Sequence, residues 1–238
     1  MEKRQVEVCF TPAQYPAYEN AEAIVVVTDI LRASSAIVTA FMNGVDRIIP
    51  VGTLDEARAY KDKGYMVAAE RDGIVRDFAD FGNSPYNFTP ERVKGNEIVY
   101  STTNGTRAIH MASSGHQVLI GAYLNLQALA DYIKEQGRDL LILCAAWKNR
   151  FNLEDSLFAG ALAGLVLEDE RFETICDATM GAIDLYQVAR VDMAAYIDKV
   201  AQRHRLKKNG LDDVIGYCHE LNLTSLIPVL EGDILQTI

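Results

Sequence analysis

Four stretches place ionisable and hydroxyl side chains where no core role explains them. The first, Thr28-Asp29-Ile30-Leu31-Arg32-Ala33-Ser34-Ser35, directly follows an apolar run at 24–27. A carboxylate at a strand tip, a guanidinium and a serine pair opening a helix converge there. Asp29 can hold Mg²⁺, Arg32 can fork onto a phosphate, and helix amides beside Ser34 and Ser35 can take the remaining oxygens. The plainer alternative is a local Asp29–Arg32 ion pair beside a helix that Ser34 caps. The second stretch, Ser101-Thr102-Thr103-Asn104-Gly105, joins a run of hydroxyls to Asn-Gly at a helix start. Gly105 lets the backbone approach an oxyanion while hydroxyls and amides donate to it. It lacks the lysine and spacing of a Walker A loop, and its alternative is an ordinary capped helix.

The third stretch begins Glu70-Arg71-Asp72-Gly73 and runs on through Asp77, Asp80 and Gly82-Asn83-Ser84-Pro85. Glu70 ends a strand, and the acidic loop after it reads either as a metal-binding lid or as solvated surface. The fourth is Cys144-Ala145-Ala146-Trp147-Lys148-Asn149-Arg150, followed by Glu154-Asp155. Cys144 and Arg150 have the spacing of a cysteine-phosphatase loop, but no glycine eases the wrap of amides that such a loop needs. Cys144 is therefore expected as a small buried residue rather than a nucleophile. Glu154 and Asp155 complement a helix N-terminus or ligate a metal. His110, His116, His204 and His219 form no zinc-binding pattern.

These tips need a scaffold of alternating elements. Apolar, β-rich runs at 6–10, 23–28, 47–51, 66–69, 97–100, 117–120 and 140–143 alternate with helical patterns at 34–43, 54–63, 105–113, 124–136 and 153–167. Such alternation predicts βαβ units and a parallel or mixed sheet covered on both faces, with ligands beyond the carboxyl ends of its strands. From about residue 177 the pattern turns helical. One or two helices are expected over 180–205 and another over 209–221, with Gly210 as its start signal; 226–230 and 233–238 read as edge strands. The chain reads as one unit spanning 1–238, and a weak boundary at 83–90 would separate two lobes.

With 238 residues, 49% of them hydrophobic, the chain can bury a sizeable core, and its net charge of −10 disfavours nucleic acid and anionic membranes as partners. No apolar run is long enough to span a membrane, and the first residues carry no apolar signal segment. Four scattered cysteines, Cys9, Cys144, Cys176 and Cys218, form no CxxC pair. A cytoplasmic protein with reduced thiols is expected. A homodimer is a possible assembly, although no apolar stripe marks it.

Taken together and in order, these motifs resemble the 2-phosphosulfolactate phosphatase family. The likeness rests on Asp29-x-Leu31-Arg32-Ala33-Ser34-Ser35, Glu70-Arg71, Gly82-Asn83-Ser84-Pro85, Thr102-Thr103-Asn104-Gly105-Thr106 and Cys144-Ala145 with Glu154-Asp155. It continues from His204-Arg205-Leu206 through Gly210, Asp212-Asp213 and Cys218 to Pro228. The resemblance implies a three-layer α/β/α fold with a mixed, largely parallel sheet and a helical C-terminal region. It implies a Mg²⁺-dependent phosphatase giving sulfolactate and phosphate, a step toward coenzyme M in methanogens. It does not imply the haloacid dehalogenase fold, since Leu31 stands where that superfamily has a second aspartate. The chain departs from the family at Asp72-Gly73 and Phe78-Ala79-Asp80, and at Ala146 and Asn149, where the family often has glycine. On this reading Asp29 and Glu70 bind Mg²⁺, with Glu154 or Asp155 as a third ligand. Arg32, Ser34, Ser35, Asn83, Ser84 and the 101–105 segment hold phosphate, and Arg71 or Arg107 takes the substrate's other acid group. The nucleophile is a metal-polarised water, with Asp29 itself as the competing option. The substrate is a small anionic phosphomonoester; a related phosphorylated hydroxyacid is the alternative, and a non-catalytic metabolite sensor is the rival of a different class.

Overall fold

The runs IVVVT and LLILC are apolar at every position but Thr28, and every one of those residues is buried, because the strands they form are covered on both faces. In the computed structural model, which describes residues 3–238, the strands are β1 (Arg4–Cys9), β2 (Ile24–Thr28), β3 (Arg47–Pro50), β4 (Met66–Arg71), β5 (Ile74–Val75), β6 (Glu97–Ser101), β7 (Gln117–Gly121), β8 (Leu140–Cys144), β9 (Phe172–Glu173), β10 (Pro228–Glu231) and β11 (Ile234–Thr237). The helices are α1 (Ala33–Met42), α2 (Leu54–Asp62), α3 (Pro90–Val93), α4 (Gly105–Met111), α5 (Leu126–Gln136), α6 (Leu153–Val166), α7 (Asp177–Ala189), α8 (Met193–Ile197), α9 (Ala201–Lys208) and α10 (Ile215–Cys218). One 11-stranded sheet has the order β5-β4-β6-β3-β11-β10-β7-β2-β8-β1-β9. Six of its ten pairings are parallel, so the mixed, largely parallel sheet is as expected.

The antiparallel pairings matter most. Hairpin β10–β11 sits in the middle of the sheet, β10 against β7 and β11 against β3. It joins a parallel block β7-β2-β8-β1-β9 to a second parallel block β3-β6-β4 that runs the other way. The expectation of edge strands at the C-terminus is therefore corrected. Pro228 reads as an edge residue because it lacks an N–H, but it occupies the first position of its strand, where the ladder can do without that donor.

Helices lie on both sides of the sheet. Val25, Val27, Leu141 and Leu143 of the first block share one core with Ile98 and Tyr100 of β6, and Ala36, Ile37 and Ala40 of α1 with Ala108 and Ile109 of α4 pack between them. The opposite face of the first block, Ile24, Val26 and Ile142, meets Leu129 and Ile133 of α5 and Phe158 and Leu162 of α6. Val67, Ala69 and Val99 of the second block pack on Ala57 of α2. Twist accumulates across the hairpin, and the loops beyond β2 and β6 meet: a Cβ on Gly105 would lie 2.7 Å from Ala33 Cβ and 3.1 Å from Asp29 Oδ2.

The C-terminal region is helical as expected but more broken. Where one or two helices were expected over 180–205, the chain forms α7, α8 and α9. The expected 209–221 helix shrinks to α10, and Gly210, at φ 65°, lies just beyond the end of α9 instead of starting a helix. No helix of the described residues is long and apolar enough to cross a membrane.

If the hairpin is the joint between the blocks, its core residue carries more than local stability. Leu235 is fully buried and pairs with Ile48. Leu235→Ala should destabilise the fold by about 2–5 kcal/mol, read as a lower urea midpoint at unchanged slope. A wild-type midpoint would refute the hairpin's role.

Candidate active site

Asp29 stands one residue beyond β2 and is only partly buried. Its backbone is held from both sides: its N–H donates to Ser34 Oγ at 2.8 Å and its carbonyl accepts from Ser34 N at 2.9 Å. The carboxylate accepts only one long hydrogen bond, from Ala33 N at 3.4 Å. Ser35 Oγ donates to Ile30 O at 2.9 Å. Both serine hydroxyls expected at a phosphate thus serve the loop itself. Arg32 is 4% exposed, its peptide bond to Leu31 is cis, and its Nη2 donates to Asn83 Oδ1 at 2.9 Å. Asn83 is held in turn by the Gly-Asn-Ser-Pro loop; its neighbour Ser84 is half-buried and starts a short 3₁₀ turn at Pro85.

The second block contributes Glu70 at the end of β4. Oε1 accepts from Thr103 N at 2.7 Å and Oε2 from Gly73 N at 2.6 Å, while Thr103 Oγ1 donates at 3.1 Å. Glu70 therefore ties its own turn to the loop after β6. The rest of the hydroxyl run is likewise engaged. Thr102 and Thr106 cap each other through reciprocal amide–hydroxyl bonds. Ser101 Oγ donates to Val51 O at 3.2 Å and accepts from Arg71 Nη2 at 3.0 Å. Arg71 also donates to Glu70 O and Gly52 O, so it is a brace, and Arg107 is exposed outside the cleft. Of the 101–105 segment, Asn104 lines the cleft, and Gly105 is glycine because a Cβ there has no room.

The loop after β8 closes the site. Asp155, fully buried at the start of α6, accepts from Ile30 N at 2.9 Å, Ala146 N at 3.0 Å and Asn152 Nδ2 at 2.8 Å. Its neighbour Glu154 is nearly as buried. Glu154 Oε1 accepts from Asn152 Nδ2 at 3.0 Å, while Oε2 is buried with no partner. Ala146, Lys148 and Asn149 are left-handed, with φ of 58°, 51° and 59°. Glycine adopts that conformation without strain, whereas each of these residues carries a Cβ. Lys148 Nζ reaches across to Asp72 Oδ1 at 2.8 Å. Cys144 lies wholly in the core, and burial pushes its thiol well up, as expected of a structural cysteine.

Asp29, Arg32, Glu70, Asn83, Asn104 and Glu154 meet in one cleft with about 380 Å³ of non-atom space, its open mouth included. Trp147, Asn152 and Gln202 also line the wall, with Leu31, Gly73 and Ala146. Trp147 and Asn152 lie in or beside the fourth stretch, and Gln202, from α9, stands two residues before the recognised His204-Arg205-Leu206 segment, yet no role at the cleft was expected of any of these three. The cleft concentrates negative charge. Burial first, then the Asp155 and Glu70 carboxylates, push Asp29 well above the usual carboxylate range. Burial and Asp155 push Glu154 up to about 8, and burial pushes Asp155 up to about 6. Burial lowers the Arg32 guanidinium.

Among the described residues no three His, Cys, Asp or Glu side chains form a closed metal cage. Mg²⁺ does not require one, since it keeps several waters and binds through one or two carboxylates plus substrate phosphate. The donor set fits that pattern. Glu154 Oε2 lacks any donor, Asp29 has one weak donor, and their mutual repulsion is what a divalent cation relieves. Glu70 and Asp155 already accept several N–H and O–H bonds.

With this geometry in view, the relatives are informative. The model of the family described as 2-phosphosulpholactate phosphatase matches residues 9–233. A protein of Clostridium novyi named "Probable 2-phosphosulfolactate phosphatase" is 36% identical over 207 residues, covering 86% of this chain and 87% of that one. One of the same name from Caldanaerobacter subterraneus is 33% identical over 220 residues, covering 91% of each chain. Another, from Thermotoga maritima, is 33% identical over 205 residues, 86% of this chain and 88% of that one. The chain belongs to the 2-phosphosulpholactate phosphatase family.

Proposed function

We propose that this protein hydrolyses the phosphate ester of 2-phosphosulfolactate with Mg²⁺, giving sulfolactate and inorganic phosphate. The observation that carries the chemistry is the pairing, in one small cleft at the carboxyl ends of β2, β4 and β6, of under-coordinated carboxylates with a buried guanidinium. Carboxylates alone would repel a phosphate, and Arg32 alone would only bind one.

Asp29 and Glu154 are the residues whose oxygens remain for the ion; Glu70 and Asp155 fix the loops and deepen the negative potential that attracts it. When bound, Mg²⁺ neutralises charge on a phosphate oxygen and polarises water. Arg32, held by Asn83, forks onto the equatorial oxygens of the phosphoryl group and stabilises the charge of the loose transition state. Asn83 and Asn104 line the same cleft and orient the remaining oxygen. Water attacks phosphorus, a new P–O bond forms as the bond between phosphorus and the ester oxygen on carbon 2 breaks, and the proton that the attacking water gives up ends on the leaving alkoxide oxygen. A cytoplasmic location and a place in coenzyme M formation fit this reading.

Phosphate release from 2-phosphosulfolactate should require Mg²⁺, stop with EDTA and survive iodoacetamide. Activity that survives EDTA and dies on alkylation would overturn the carboxylate assignment. Asp29→Asn and Arg32→Ala should each fold and lose about 10²–10³-fold in kcat/KM, and near-wild-type turnover in either would remove that residue from the mechanism.

The charge cluster also predicts a pH effect on the metal-free protein. Glu154 and Asp155 have folded-state pKa values above their unfolded ones, so the folded protein holds more protons and stability falls as pH rises. For Glu154 the loss extends up to about pH 8. The melting temperature of the metal-free protein should drop between roughly pH 6 and pH 8, and Glu154→Gln should flatten the drop. A melting temperature that rises over that range would contradict the buried-carboxylate account.

A further inference from the structure

Arg205, near the end of α9, has a site that the phosphate chemistry does not use. Its guanidinium lies 4.4 Å over the Trp147 ring, and its Nε donates to Gln202 Oε1 at 2.6 Å. Gln202 in turn donates through Nε2 to Leu31 O at 3.1 Å, on the residue before Arg32. Stacking fixes the plane of the Arg205 fork and the Gln202 bond fixes its rotation. Both guanidinium groups are thereby set against the same loop.

Among the described residues neither Nη of Arg205 meets an acceptor, and no carboxylate lies within salt-bridge distance. Arg203, two residues earlier, pairs with Asp198 and Asp212. Arg205 is half-buried, and burial lowers its guanidinium while the field of Glu154 opposes that. A partly desolvated cation without a counter-ion is costly unless a ligand supplies one. Trp147, Gln202 and Glu154, the three residues that meet Arg205 by stacking, hydrogen bond or field, all line the cleft.

We propose that Arg205 binds the substrate's second strong-acid group, the sulfonate at the carbon beyond the phosphate ester, and so selects phosphorylated acids that carry one. This deepens the phosphatase reading and rests on it for the position of the phosphate at Arg32. The cleft floor is acidic, so a substrate with charges beyond its phosphate needs a second cation. Lys148 is already paired with Asp72. A fork matches the oxygens of a sulfonate with two parallel bonds, which an ammonium cannot make.

The test measures binding by calorimetry, with sulfolactate, lactate and inorganic phosphate as probes, to wild type, Arg205→Ala and Arg205→Lys. Sulfolactate differs from lactate only in the sulfonate. Wild type should bind sulfolactate at least about ten-fold tighter than lactate, Arg205→Ala should erase that preference, and Arg205→Lys should restore part of it. Retained phosphate binding shows that the variants are folded. An undiminished preference in Arg205→Ala, or none in wild type, overturns the proposal; an equal loss for lactate assigns Arg205 to the carboxylate and overturns the sulfonate assignment. Phosphate release by wild type is read separately. Loss of the sulfolactate preference in a protein that releases no phosphate would sink the hydrolase reading and leave this subsite standing.

Discussion

The site depends on carboxylates that accept backbone amides. A strand that ends in a polar loop leaves N–H groups unpaired where they are being buried, and each unsatisfied group costs about 1–3 kcal/mol. Asp155 resolves this for the first block. One carboxylate takes Ile30 N from the loop after β2 and Ala146 N from the loop after β8, so two strands' tips are locked to the start of α6. Glu70 does the same for the second block, taking Gly73 N from its own turn and Thr103 N from the loop after β6. Each tie lies at a carboxyl edge, and the two edges are brought face to face by the hairpin β10–β11 and the helices wrapped between the blocks.

Using anions as ties has an electrostatic consequence. Charges placed for loop geometry sit beside Asp29 and Glu154, and in a partly desolvated cleft they disfavour further ionisation. The neighbours that cause these shifts are themselves part of the scaffold: Asp155 acts on both Asp29 and Glu154, and Glu70 acts on Asp29. Scaffold and chemistry are thus coupled. A cation in the cleft would relieve repulsion that the loop ties create, and on the proposed reading a phosphate would be tolerated there because Arg32 is buried beside them.

Much of this was legible in the sequence because a buried strand in an α/β sheet announces its end. The apolar runs stop at Thr28, Ala69, Tyr100 and Leu143, and the polar residues that follow are those around the cleft. Asp29, Arg32, Glu70, Asn83, Asn104 and Glu154 all fall within recognised segments. What the residues would do there was less legible. A Ser or Thr beside a strand tip reads the same whether it faces a ligand or caps a loop. Only the positions of Val51 O, Thr106 N and Glu70 decide that Ser101, Thr102 and Thr103 do the latter. That Trp147, Gln202 and Arg205 meet was not legible for a different reason: it depends on where α9 packs, and no local pattern encodes that. The central hairpin was misread because two short runs at 226–230 and 233–238, at the end of the chain, read as edge strands, and neither their length nor their composition reveals that strands flank them on both sides.

The loop 146–149 shows how such a site tolerates local strain. Left-handed backbone at a residue with a Cβ costs roughly 1–2 kcal/mol, and three positions here adopt it. Strain of this kind persists only where the surroundings over-determine the conformation. They do so at both ends: Ala146 N is held by Asp155, Lys148 N by Asn104 Oδ1 at 3.2 Å, and Lys148 Nζ by Asp72. Glycine at 146 and 149 would remove the local cost but also widen the unfolded and loop ensembles. With Ala and Asn there instead, this chain trades local ease for a stiffer loop. That loop carries Trp147, the ring on which Arg205 is stacked, so its stiffness fixes the cleft's rim as firmly as Asp155 fixes its floor.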